Sequence, residues 1–277
     1  VAKAAPRATK AQAASTAARS TLPRKTERYA SLIVDAQTGQ VLQDVNAWET
    51  RHPASLTKVM TLYMTFEAIE QGRLRMDQRL PVSGWASIQS PTKLDLKEGD
   101  TVPVRDLILG LITKSANDAA VVLAEAIAGD EDVFAQRMTQ RARQLGMTST
   151  TFRNASGLPN DEQVTSAHDM AVMAMAVMRD FPTYYPLFAT QEFSYAGRVH
   201  TNHNRMLGWY GGAEGLKTGY TNASGFNLIL VAKRDGRRLI GVVMGGASAQ
   251  SRDNHMAELM DKGFAATGGT LVAGNGK

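Results

Sequence analysis

Apolar positions recur along this chain with two different periods, and the change between them marks its organisation. Tyr29-Ala30-Ser31-Leu32-Ile33-Val34 reads as a strand, Asp35-Ala36-Gln37-Thr38-Gly39 as a turn, and Val41 to Val45 as the returning strand. Pro53-Ala54-Ser55 then opens a helical pattern in which Val59, Leu62, Tyr63, Phe66 and Ile69 are apolar, closing at Gly72. That spacing predicts Ser55 in the first helical turn. Three further helices are expected over 104–114, 118–128 and 131–145, then a loop over 153–160 and a helix over 166–179. The methionines of the last helix (Met170, Met173, Met175, Met178) are expected to fill core. Strand character returns at 226–232 and 239–244 around the turn Arg234-Asp235-Gly236-Arg237, and a final helix is expected over 251–265.

Strands, then helices, then strands, then a helix predict an α/β (α+β) domain in which helices cover a mixed or antiparallel sheet. We divide the 277 residues into a basic disordered linker over 1–28, one folded domain over 29–266, and a flexible end over 267–277 that has the look of a linker to a further domain. No internal repeat is present.

Charge alters this picture only at one end. Residues 1–28 hold seven Lys or Arg and one acid, a net of +6, while residues 29–277 carry 24 basic and 25 acidic groups. The formal +5 therefore belongs to a tail, and groove-reading nucleic-acid chemistry is not indicated. Such a tail suits peripheral association with a membrane surface or an anionic wall polymer. Cysteine is absent, which excludes disulfides and thiolate catalysis. The five histidines include no His-Glu-x-x-His pair, so no metal is called for, and neither is another cofactor. No apolar run of 18 residues and no signal segment occurs, which fits a cytosolic chain or an exported one whose signal has been removed.

Three short motifs could carry chemistry. Ser55-Leu56-Thr57-Lys58 places an ammonium one turn from a hydroxyl, and serine needs a base in contact to act as a nucleophile. Lysine can be that base only if burial or nearby positive charge leaves it neutral. Alone the motif is weak, since about one Ser-x-x-Lys is expected by chance in a chain this long. Ser115-Ala116-Asn117 lies between two expected helices, where Ser and Asn are also ordinary N-caps. Lys217-Thr218-Gly219 reads as an extended segment offering a cation, a hydroxyl and an approachable backbone.

Together and in this order the three form the serine penicillin-recognition set. The chain resembles the low-molecular-mass penicillin-binding proteins of the D-alanyl-D-alanine carboxypeptidase family over about residues 29–265. Further matches are His52 to Met60, Ser115 to Ala120, Phe152 to Leu158 and Gly215 to Thr221. The resemblance implies a DD-peptidase-like fold with an inserted all-helical lobe, and a serine carboxypeptidase trimming peptidoglycan stem peptides that end in D-Ala-D-Ala. It implies β-lactams as covalent inhibitors and a periplasmic location.

It also implies roles. Ser55 is the nucleophile, Lys58 its base and Ser115 a proton relay. Asn117 holds the peptide, Lys217 and Thr218 engage the terminal carboxylate, and Arg252 assists them. Gly219 permits strand pairing, and the N–H groups of Ser55 and Tyr220 form the oxyanion hole. A class A-like β-lactamase shares the motifs but needs a Glu-x-x-x-Asn element, and here the corresponding stretch holds only Asp161 and Glu162. The same chemistry also serves DD-endopeptidases and transpeptidases, while a non-enzymatic wall-binding module on this fold is argued against by the three intact motifs.

Overall fold

The computed structural model describes residues 28–266. The segments 1–27 and 267–277, and with them most of the linker and end expected above, lie outside the described residues.

The first hairpin, β1 (Ala30–Asp35) and β2 (Val41–Val45), leads through a 3-10 turn (Ala54–Leu56) into α1 (Thr57–Glu70). A lobe follows, made of β3 (Arg79–Pro81), α2 (Gly84–Ser87), β4 (Thr101–Pro103), α3 (Val104–Thr113), α4 (Asn117–Ala128) and α5 (Glu131–Gln144). The chain returns through α6 (Ala167–Asp180), the small hairpin of β5 (Glu192–Tyr195) and β6 (Arg198–Thr201), and a 3-10 turn at Arg205–Gly208. It ends in β7 (Ala213–Thr221), β8 (Gly225–Arg234), β9 (Arg237–Gly246) and α7 (Ala249–Ala266). The lobe is therefore not purely helical, because β3 and β4 pair antiparallel inside it.

The main sheet is antiparallel throughout, in the order β2-β1-β9-β8-β7. Its two faces feed two cores. Ile229 and Val231 of β8 join the core built with α1, α3, α4 and α6, whereas Leu228 and Leu230 join Met256, Leu259, Met260 and Phe264 of α7. Side chains alternate across a strand, so covering both faces produces the unbroken apolar run seen in sequence. The β8–β9 connection is the expected tight turn, with Asp235 and Gly236 both at positive φ (48° and 79°). Met170 and Met173 are fully buried in the larger core, with Met175 and Met178 packed at its edge.

The helix starts follow local chemistry. Asp130 accepts from Val133 N (3.1 Å) to cap α5, and Ser166 accepts from Asp169 N (3.1 Å) to cap α6. The start of α4 differs from expectation. Its N-cap is Ala116 without a side-chain bond, and Ser115 takes φ +58°, which turns its hydroxyl away from a capping role.

Candidate active site

A cleft of about 680 Å³ opens between the β7 edge of the sheet and the lobe, a size typical of ligand sites. Ser55, Ser115, Asn117, Thr218, Gly219, Tyr220 and Arg252 all border it, so residues from four separate segments meet there. Lys58 and Lys217 lie immediately behind, at 0% and 1% exposure.

Ser55 sits in the 3-10 turn before α1 rather than in the α-helix itself, and Lys58 stands in the first turn of α1. Ala54, the residue before the serine, holds φ +49°, a strained value for a side chain with a Cβ. Two glycines make this geometry possible. A Cβ on Gly157 would fall 1.9 Å from Ala54 O, and its φ of +86° excludes most other residues. A Cβ on Gly219 would fall 2.9 Å from Ser55 N, so the β7 backbone runs directly beside the serine amide.

Lys58 Nζ lies 3.1 Å from Ser55 Oγ, 2.7 Å from Asn117 Oδ1 and 2.5 Å from Ser156 O. Burial, and then the charge of Lys217, hold its pKa well below the ordinary lysine range, with Asp118 acting in the opposite direction. A neutral amine has two N–H bonds and one lone pair. Asn117 and Ser156 accept the two N–H bonds, which leaves the lone pair facing the Ser55 hydroxyl. That is the geometry a general base requires.

Lys217 Nζ reaches Ser115 Oγ (3.0 Å) and Thr218 O (2.9 Å). Burial, then the Arg252 charge, push its pKa down to about 7. Its amine thus lies behind Ser115, and Lys217 is not among the described residues that border the cleft. Arg252 is 4% exposed, with Nε and Nη2 on Asp253 Oδ1 (3.0 and 2.8 Å) and Nη1 on Asn227 O (3.1 Å). Tyr220 is half-exposed and its ring stacks on Phe226 at 4.2 Å.

Three supports of the site are given no role by the sequence motifs. Asn227 is fully buried; its Nδ2 donates to His52 O (3.0 Å) and Pro53 O (3.2 Å), and its Oδ1 accepts from Gly245 N (3.0 Å). Asp118 accepts from the N–H groups of Leu94 and Leu96 (3.0 Å each), holding the wall that carries Pro91 and Thr92. Glu131 accepts from Ala155 N (3.0 Å) and Trp85 Nε1 (2.7 Å), fixing the loop that presents Ser156 O. The stretch around Ser156 matches the family in sequence, but only the fold reveals that its backbone oxygen meets Lys58.

The family model described as D-alanyl-D-alanine carboxypeptidase matches residues 15–248. The D-alanyl-D-alanine carboxypeptidase DacD of Escherichia coli is 39% identical over 237 residues, covering 83% of this chain and 61% of its own length. This chain thus spans about three fifths of that relative. Among solved structures, penicillin binding protein 5 from Haemophilus influenzae superposes with TM-score 0.83 at 31% identity, covering 89% of this chain and 73% of that one. Penicillin-binding protein D2 from Listeria monocytogenes, in its ampicillin-bound form, gives TM-score 0.78 at 31% identity, covering 85% and 96%. The chain belongs to the D-alanyl-D-alanine carboxypeptidase family.

Proposed function

We propose that this protein is a serine-type D-Ala-D-Ala carboxypeptidase that trims peptidoglycan stem peptides through a Ser55 acyl-enzyme. One observation carries the reading: a buried Lys58, its N–H bonds occupied elsewhere, turns its lone pair to a cleft-facing serine hydroxyl. Ser55 Oγ attacks the carbonyl of the penultimate D-Ala as its proton passes to Lys58 Nζ. The oxyanion is held by the N–H groups of Ser55 and Tyr220, each such donor contributing about 2.7–4 kcal/mol. The C–N bond then breaks, and Ser115, backed by Lys217, delivers a proton to the departing D-Ala amine. Water hydrolyses the ester and restores Ser55. Asn117 orients Lys58 and borders the bound peptide, while Thr218 and Arg252 meet the terminal carboxylate.

Ampicillin is bound in the related Listeria structure, and β-lactams are proposed here as covalent inhibitors of Ser55. Among the described residues bordering the cleft, none is Asp or Glu. This favours a long-lived penicilloyl ester over the carboxylate-assisted turnover of a β-lactamase. A peptidoglycan substrate implies a location outside the cytoplasm, and among the described residues no helix is long and apolar enough to cross a membrane. The basic tail is proposed to rest on a membrane surface or wall polymer.

The test is mass spectrometry after benzylpenicillin. The expected result is one adduct on the Ser55 peptide, absent in Ser55→Ala, with D-Ala released from a pentapeptide by the parent only. Labelling at another residue would sink the assignment.

A further inference from the structure

A second cavity, of about 210 Å³, lies between α1 and α5 and shares no residue with the catalytic cleft. Glu67 lines it from α1, Arg73 from the turn that follows, and Arg137, Gln140, Arg141 and Gln144 from α5. Glu67 stands about 14 Å along α1 from Lys58. The four α5 residues are spaced three or four apart and so share one face of that helix. Where two helices pack, such facing positions are ordinarily apolar. Here they are long and polar, and the space between them stays open.

The lining is positive. Arg73, Arg137 and Arg141 bring three permanent charges against one carboxylate, Glu67, whose Oε1 lies 2.6 Å from Arg141 Nη2. The other braces are neutral. Arg73 Nε donates to Gln71 Oε1 (2.9 Å), Arg137 Nη1 to Ile127 O (3.3 Å) and Arg141 Nη1 to Gln144 Oε1 (2.6 Å). Among the described residues Arg73 and Arg137 have no ion-pair partner. The forks are thus held in place without being neutralised, and three cations less one anion leave a net +2. A carboxylate would bring a single charge and two oxygens. A phosphate monoester brings about −1.5 to −2 near pH 7 and three strong acceptor oxygens, which matches both the charge and the number of guanidinium groups.

We propose that the cavity between α1 and α5 binds a phosphate group, either the free dianion or the exposed monoester of a lipid headgroup. Arg73 meets it from the α1 side, Arg137 and Arg141 from α5. The site lies apart from Ser55 and stands whether or not the carboxypeptidase reading holds.

The experiment titrates inorganic phosphate calorimetrically, at low salt, into the parent and into two double variants, Arg73→Gln with Arg137→Gln and Arg73→Lys with Arg137→Lys. The parent should show one saturable site, and should keep it after treatment with benzylpenicillin. In the Gln pair the affinity should fall about twenty-fold, from about five-fold for each charge in water-like surroundings, with the rate of acylation by penicillin retained. The Lys pair should keep most of the affinity. Both arginines are exposed, so the Gln pair should fold; if its melting temperature drops, Arg73→Gln alone should give the five-fold step. Vesicles then identify the source of the phosphate. Stronger retention of the parent than of the Gln pair on phosphatidic acid vesicles marks a lipid headgroup, since the basic tail is common to both. Equal retention, beside intact phosphate binding by the parent, assigns the free ion. Three results would overturn the proposal: no saturable phosphate binding, equal affinity in parent and Gln variants, or binding that benzylpenicillin abolishes.

Discussion

Asn227 offers the sharpest test of how the nucleophile is held. Its side chain is fully buried and makes three bonds, to the carbonyls of His52 and Pro53 and from the amide of Gly245. Asn227→Ala removes a partner from each of those three backbone groups, although Pro53 O still accepts from Leu56 N. A buried polar group left unsatisfied costs roughly 1–3 kcal/mol, and water entering the vacated space recovers part of it. We expect a loss of about 3 kcal/mol, a large share of the roughly 5–15 kcal/mol that holds a domain together. Pro53 lies two residues before Ser55, so loosening it also displaces the hydroxyl from Lys58. A misplacement of about 1 Å can cost on the order of a hundred-fold in rate. Urea unfolding gives the first quantity, and stopped-flow acylation by a fluorescent penicillin, at a temperature where the variant is folded, gives the second. A variant within about 0.5 kcal/mol of the parent would refute the reasoning. So would a destabilised variant acylated at the parental rate.

Three other outcomes follow from the same geometry. The reactive form of Lys58 is neutral, so acylation should fall as pH drops through its depressed pKa; Lys217→Met removes a charge that depresses it, and should move the acid limb of the pH–rate profile upward. An unmoved limb would show that Lys217 does not tune the base. Lys217 itself titrates near pH 7 when folded and near 10.5 when unfolded, so the unfolded chain binds more protons between those values. Melting temperature should therefore rise with pH across that window in the parent, and this contribution should vanish in Lys217→Met. Gly157→Ala drives a methyl into Ala54 O at a left-handed φ, and should cost about 2 kcal/mol together with most of the acylation rate. A variant acylated at the parental rate would show that the Ala54–Gly157 contact is dispensable.

What could be read from the sequence was local. The first hairpin, the helices from α3 to α6 and the β8–β9 hairpin announced themselves because each is long enough for its period to repeat. The pairs β3–β4 and β5–β6 have three or four residues per strand, too few for a pattern, and Arg198-Val199-His200-Thr201 is largely exposed on both faces. The motifs brought Ser55, Lys58, Ser115 and Lys217 to notice. They said nothing of the positive φ at Ala54 and Ser115, which arises because packing overrides the local preference. Asn227 was invisible for a different reason, since its partners lie 174 and 175 residues away in the chain. Ser156 contributes a backbone oxygen, which no residue type encodes.

The meeting of distant segments around Lys58 bears on how this protein comes to be active during folding. Its amine joins Ser55 to Asn117 and Ser156, which lie 59 and 98 residues beyond Lys58, and β1 closes the sheet only by pairing with β9, Ala30 opposite Met244. Contacts so remote in sequence form late, because the entropy of closing long loops must first be overcome. A partly folded chain with its helices in place but its last strands undocked keeps Lys58 beside Ser55 yet lacks Lys217, Thr218 and the hold of Asn227 on His52 and Pro53. Covalent labelling by a penicillin therefore counts finished molecules, and its onset during refolding marks the last long-range closure rather than the first collapse.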